Sequence, residues 1–358
     1  MTSFNPISTL QLNLQGRKLV SDLTRQVADT TQELSTGYRK NVYGDLGARA
    51  AQTLEFRNRM DRTEDFVVLN QVLEGKLEML EDALSGVRNS AQEFLNIAVG
   101  SATSPNQLAQ ELQAQAQATL NFVVAGLNMA YGGEYLMSGV ATDTKPVQDI
   151  YTANPTTGQS PADVINGIVG TGPATAGGAA AMIAQLDAVF SSSAANPNDN
   201  YEATFYNGTP ALDTFGNPSP RSVAQIDDDT RMAYGVQAND PAIRDLMKGL
   251  MMFASVDVTT INDPATYAAW ATEAVDAIAS GIQGLDEARV QTGSNRKLLE
   301  DTVTAQQSRM DIYNARIVTL ETADPYETAA RLQNLQVQLE ATYATTAKLG
   351  RMSFLNYM

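Results

Sequence analysis

Apolar residues recur at gaps of three and four over long stretches of the chain, the spacing of helices that bury one face. Leu69, Leu73, Leu77, Leu80, Leu84, Val87, Ala91 and Phe94 make one stripe, and Leu299, Val303, Met310, Tyr313, Ile317 and Leu320 make another. A helix carrying such a stripe over about 25 residues is ~40 Å long at 1.5 Å per residue, so the pattern predicts rods. Both ends of the chain repeat the period. Val20, Leu23, Val27 and Leu34 are spaced as a seam with Thr30 in the remaining slot, and Leu332, Leu335, Leu339 and Leu349 answer them with Thr342 and Thr346 between. Each end is by itself a coiled-coil candidate, its seam short and weakened by threonines.

Helix starts are written in one local code, a cap residue followed by proline at the first helical position. Ser104-Pro105, Asp240-Pro241, Asp263-Pro264 and Asp324-Pro325 carry it, which predicts helices beginning near residues 105, 241, 264 and 325. Gln107 and Glu327 add capping boxes to the first and last. In the middle the period changes. Arg221 to Asp240 reads as two short strands around a turn at Asp227, Asp228 and Asp229, and Ala203 to Tyr206 as a further strand. Val164 to Val169 and Met182 to Phe190 are short apolar stretches among Gly, Ala, Ser, Thr and Pro, a loop composition. The expected fold is mainly α: an elongated helical rod with a coiled-coil candidate at each end, plus a small α+β or irregular inserted domain. Met251, Met252 and Trp270 read as core, and Gln107, Gln110, Gln113, Gln115 and Gln117 as a solvated helix face.

Charge narrows the function. The 358 residues carry a net charge of −16, which argues against grip on nucleic acid or an anionic membrane, since both need clustered Lys and Arg. Half of that charge lies between Ser138 and Asp240, with eight of the thirteen prolines, and within it the stretch from about Ile150 to Pro220 reads as an outward-facing lobe removable without loss of assembly. Residues 1 to 40 and 331 to 358 are slightly basic instead. After Glu340 only Lys348 and Arg351 are charged, although Tyr343, Leu349, Met352, Phe354, Leu355, Tyr357 and Met358 follow. One partner helix cannot cover so much apolar surface, and neighbouring copies of the chain are implied.

With no histidine and no cysteine, the usual general base, thiolate and disulfide chemistry are excluded. The three consecutive aspartates lack the alternating ligands, glycine and bidentate Glu of a calcium loop and read as a solvated turn. No serine has a histidine to activate it and no phosphate-binding loop exists, so no catalytic, cofactor-binding or metal-binding residue is nominated. No run of about 18 apolar residues and no conventional signal peptide is present; the protein is cytoplasmic, or exported by a route that reads no such signal.

Three segments stand out: Leu34 to Asn41 (LSTGYRKN), the turn after the first heptad helix; Gly133 to Val147 (GEYLMSGVATDTKPV), a hairpin carried by Gly133, Tyr135, Leu136, Ser138 and Gly139; and Leu349 to Met358 (LGRMSFLNYM), the ending. Together and in this order they resemble the turn, hairpin motif and ending of the bacterial flagellin family, and within it the hook-associated protein 3 branch at the hook-filament junction. Ala233 to Asp240 and Asp324 to Leu339 favour the junction branch, while Tyr43 to Gly47 and Met137 depart from common family residues.

The resemblance implies a structural subunit of the flagellum, not an enzyme, that leaves through the type III channel and assembles as a ring; flagellin itself is the other reading. It implies a terminal coiled coil from residues 1–42 and 325–358, a helical rod from 43–148 and 221–324, and a solvent-facing insert at 149–220. Subunit contacts would fall on Leu23, Val27, Leu34, Leu335, Leu339, Leu349, Phe354, Leu355 and Tyr357. The implied partners are further copies of the chain, hook-associated protein 1, flagellin and an export chaperone, with no cofactor, nucleic acid or membrane.

Overall fold

A computed structural model describes residues 9–102 and 109–355, leaving the side chains of residues 9, 10, 12, 13, 45 and 349–355 outside the description. Helix takes up 71% of the chain, so the protein is mainly α. The chain divides into two compact units, Met1–Asp65 with Gln306–Met358, and Phe66–Ala305. The helices in chain order are α1 (Thr9–Thr36), α2 (Val42–Leu46), α3 (Ala50–Val99), α4 (Ala109–Leu127), α5 (Pro161–Val169), α6 (Ala176–Phe190), α7 (Pro241–Ser255), α8 (Pro264–Glu321) and α9 (Pro325–Leu355). Two antiparallel pairs complete it: β1 (Ala130–Tyr131) with β2 (Glu134–Tyr135), and β3 (Val223–Asp227) with β4 (Thr230–Ala233). The acidic turn between β3 and β4 is where the sequence predicts it.

Three of the four predicted helix starts coincide with Pro241, Pro264 and Pro325; the fourth, at Ser104-Pro105, lies outside the described residues. Asp324 accepts from the N–H groups of Tyr326 at 2.8 Å and Glu327 at 3.3 Å, and Asp263 from that of Thr266 at 2.8 Å. Asp240 behaves differently. Its carboxylate turns from the helix to hold Arg221 at 2.6 Å and the Gln237 N–H at 2.9 Å, tying the end of the middle segment together. Asp263 supports a titration prediction. The Thr266 hydroxyl and then the Thr266 N–H hold its carboxyl below the usual range, so the cap is fully formed above the unfolded-state pKa and is lost as pH falls through the folded one. Carbon-detected NMR titration should place Asp263 below the ordinary value of about 3.9; a midpoint at or above it would contradict the cap.

The core of the second unit gathers around α7. From Leu246 to Ala254 every residue of this helix is buried, so it needs cover on all sides. One side is α8, approached through small residues: a Cβ on Gly249 would stand 2.5 Å from the Ala274 carbonyl oxygen, and one on Gly281 would stand 2.7 Å from the Leu246 nitrogen. Another side is α4, where Gln113 and Gln117 both donate to the Ala254 carbonyl at 3.2 and 3.0 Å. These two glutamines cap α7 and do not form a solvated face, whereas Gln110 and Gln115 are exposed as expected. Phe94 of α3 meets Phe253 edge to face at 5.4 Å, and Trp270, Met251 and Met252 are buried with them.

The remaining cover comes from the middle segment. Helices α5 and α6 occupy the two apolar stretches, each started by a side-chain cap, Ser160 and Thr175. Both pack on α7. Lys248 of α7 sits between Asp187 of α6 at 2.7 Å and Glu273 of α8 at 2.8 Å, and Arg244 donates to the Phe190 carbonyl at 3.1 Å. The expected strand at Ala203 to Tyr206 is corrected: Tyr201–Phe205 is a turn of π-helix, and only Tyr206 keeps an extended bridge, to Val147. Helical winding stacks the rings of Tyr201 and Phe205 at 5.3 Å and brings both against Phe190. An extended chain would send Tyr201 and Phe205 apart from that shared contact. The segment thus shares one core with α3, α4, α7 and α8, which corrects the expectation that it deletes freely.

A smaller cluster joins Leu73, Leu77 and Leu299 to Ile226 and Met232 of the β3–β4 hairpin. Leu69 falls outside the predicted stripe, 61% exposed, because Asn70 takes the inward position and donates its amide to the Ile226 carbonyl at 2.8 Å.

Candidate assembly surfaces

The terminal helices α1 and α9 pack along each other within the first unit. Leu23 and Thr30 are buried, Val27 is half-buried, and the facing positions Leu332, Leu335, Leu339, Thr342 and Thr346 are all half-buried. The two backbones come close at Gly16, where a Cβ would stand 3.1 Å from the Thr346 hydroxyl oxygen. Leu34 departs from the seam at 39% exposed. Its place is taken by Glu33, buried, whose carboxylate accepts from the Lys40 N–H at 2.8 Å and lies 3.8 Å from Arg331. Leu349, Phe354 and Leu355 lie outside the described side chains, and Tyr357 lies outside the described residues.

The turn after α1 is fixed by backbone bonds to the segment linking α8 and α9. Gly37, with φ +75°, ends α1 and accepts from the Ala323 N–H at 2.9 Å, while the Arg39 N–H donates to the Glu321 carbonyl at 2.9 Å. Glu321 also receives Arg57 through both carboxylate oxygens, at 2.7 and 2.8 Å. The Leu34 to Asn41 segment is therefore a clasp between the two ends of the chain. Sequence spacing nominates Leu34 here, while the buried carboxylate of Glu33 beside it leaves no mark in the hydrophobic pattern.

The hairpin motif does a comparable task in the second unit. Gly132 and Gly133 have φ of +60° and +88°, the left-handed pair that a two-residue hairpin turn requires. Tyr135 and Leu136 are half-buried, and Ser138 and Gly139 are buried. Gly139 lies at φ +73° with the Gln237 amide 2.6 Å from where a Cβ would stand, so a side chain is excluded twice over. The Ser138 carbonyl accepts from the Thr209 N–H at 2.9 Å, the Thr209 hydroxyl accepts from the Val140 N–H at 2.9 Å, and the Met137 carbonyl accepts from the Ala238 N–H at 2.9 Å. The motif is where the outgoing chain, the middle segment and the returning chain are tied.

Among the described residues no group of three or more Asp, Glu, His or Cys could hold a metal ion, and no helix is long and apolar enough to cross a membrane. The arrangement offers helix faces and clasps.

The family model for the bacterial flagellin N-terminal helical region matches residues 7–142, and that for the C-terminal helical region matches residues 275–358. Together they cover well over half of the chain, including α1, α9, the Leu34 to Asn41 clasp and the hairpin residues Gly133 to Gly139. None of the curated proteins matches the chain. Among solved structures, a chain from Vibrio parahaemolyticus assigned as a flagellar hook-associated protein is similar in fold, with a TM-score of 0.50 at 14% identity, covering 77% of this chain and 98% of that one. Flagellin family members are structural, non-enzymatic proteins of an extracellular appendage and self-assemble into polymers. This chain belongs to the bacterial flagellin family, as a structural subunit of the flagellum.

Proposed function

We propose that the protein forms the junction ring between hook and filament, after export through the type III channel without a cleavable signal peptide. The observation that carries this is Asp324 to Leu339, which resembles the opening of the junction branch's last helix and here begins α9 under the Asp324 cap. The fold likeness to a chain assigned as hook-associated supports it. In this reading residues 1–42 and 325–358 are the inner coiled coil, 43–148 and 221–324 the rod, and 149–220 a segment that packs on the rod and turns its loops to solvent. Leu349, Phe354, Leu355 and Tyr357 then fill contacts between copies, with hook-associated protein 1 below the ring, flagellin above it and an export chaperone beforehand.

A junction subunit meets different proteins on its two axial faces, whereas a filament subunit must complement itself indefinitely. Purified chain seeded with filament fragments should therefore not elongate, and immunogold should mark the hook-filament boundary alone. Long filaments built from this chain would transfer the assignment to flagellin.

A further inference from the structure

We infer that Asn207-Gly208 is a site of spontaneous hydrolytic modification, shut while the middle segment is folded around it and, once opened, a one-way switch that loosens the tie between that segment and the hairpin motif. The chain has two Asn-Gly pairs, at 166–167 and 207–208. Asparagine is among the chemically labile residues, and a glycine after it leaves the attacking backbone nitrogen without a side chain to shield it. In this reaction the Gly208 nitrogen gives up its proton to solvent and bonds to the side-chain carbonyl carbon of Asn207. The bond from that carbon to the amide nitrogen breaks, and ammonia leaves. Water then opens the succinimide ring at either carbonyl, giving aspartate or, where the chain continues through the side chain, isoaspartate.

The fold demands both residues. A Cβ on Gly208 would strike the Tyr206 hydroxyl and stand 2.6 Å from the Ser138 carbonyl oxygen, so no side chain fits there. The Asn207 carboxamide is used at both ends: its oxygen accepts from Asn154 at 2.7 Å, and its nitrogen donates to the Gln148 side-chain oxygen at 3.2 Å. Asn154 is itself buried and pinned, donating also to the Thr204 carbonyl at 3.2 Å and accepting from the Thr156 N–H at 2.8 Å. This clamp keeps the carboxamide carbon from turning onto the Gly208 nitrogen. The main chain is fixed on either side, where the Asn207 N–H donates to the Pro146 carbonyl at 2.8 Å and the Thr209 N–H to that of Ser138 at 2.9 Å. Asn166 is guarded differently, exposed on α5 where the helical ladder sets the backbone. Reaction at Asn207 therefore waits for the clamp to open, and its product does not close again. Either product loses the amide donor to Gln148 and gains a charge. Isoaspartate also lengthens the main chain between the bonds to Pro146 and Ser138, where Gly208 has no room to spare.

The test incubates the full chain in mildly alkaline buffer, native and in urea, and follows both Asn-Gly pairs by peptide mapping and isoaspartyl methyltransferase labelling. Reaction at Asn207 should be at least about tenfold slower in the native chain, because a slow reaction tracks the fraction of time the clamp is open. Asn154→Ala, or Gln148→Ala should the first fail to fold, should speed native reaction at Asn207 and leave Asn166 at its parent rate. Equal native and unfolded rates at Asn207 overturn the inference, as do variants that speed both pairs together or neither. Aged protein carrying isoaspartate at position 207 should melt below fresh protein; an unchanged melting temperature overturns the switch.

Discussion

Alanine at Gly281, and separately at Gly249, should sharply destabilise the second unit, although alanine is the better helix former by about 1 kcal/mol. The new methyl at Gly281 would meet the Leu246 nitrogen at 2.7 Å, and that at Gly249 the Ala274 carbonyl oxygen at 2.5 Å. Both obstacles are backbone, so no side chain can swing aside, and relief requires α7 and α8 to part. Overpacking a core costs about 1 to 3 kcal/mol and more where backbone must move. That outweighs the propensity gain and leaves a net loss of roughly 2 kcal/mol per site, or about 4 to 8 °C in melting temperature for a unit of this size. Calorimetry decides it; a melting temperature equal to or above the parent's would show that the two helices are not held at this separation.

Replacing residues 149–220 by a short glycine-serine bridge is expected to cost the second unit its cooperative fold. Helix α7 is buried all round, and α5 and α6 are one wall of that burial. Without them two or three of its Leu and Met side chains meet water at about 1.5 to 3 kcal/mol each, a total on the order of the 5 to 15 kcal/mol that holds a typical domain. Lys248 also loses Asp187, and Arg244 loses the Phe190 carbonyl. The shortened chain should bind the dye ANS and unfold over a broad range; a sharp transition near the parent's would restore the view of the segment as a detachable lobe.

What the sequence revealed and concealed follows from the range of each signal. Asp263-Pro264 and Asp324-Pro325 mark helix starts because cap and proline act within one turn, and both are found there. Heptad spacing identified the α1 and α9 seam and the inward face of α3, but it carries no mark of where a partner ends. Leu34 and Leu69 have the right spacing and lie exposed, each beside a polar neighbour with a buried bond, Glu33 and Asn70. Such bonds depend on residues distant in sequence, as with Asn70 and Ile226. The strand expected at Ala203 to Tyr206 overlooks that Tyr201 and Phe205 are four apart, the interval at which one helical face recurs. Proline, glycine and acidity in the middle of the chain signal exposure for its loops and hide the buried faces of α5 and α6, helices of 9 and 15 residues set among loop composition.

The carboxylate of Glu33 has a bearing on how the chain ends find each other. A seam of leucines and threonines at repeating intervals would tolerate displacement by a whole turn, because one apolar contact substitutes for the next. Moving α1 along α9 by that step would carry Glu33 away from Arg331, and any shift that opened the turn after α1 would take the Lys40 N–H from it, leaving a desolvated charge without its donors. A single polar group in such a seam sacrifices some adhesion and fixes alignment. Glu33 thus acts as an index mark for the two helices, admitting one sliding position where the leucines alone would admit several.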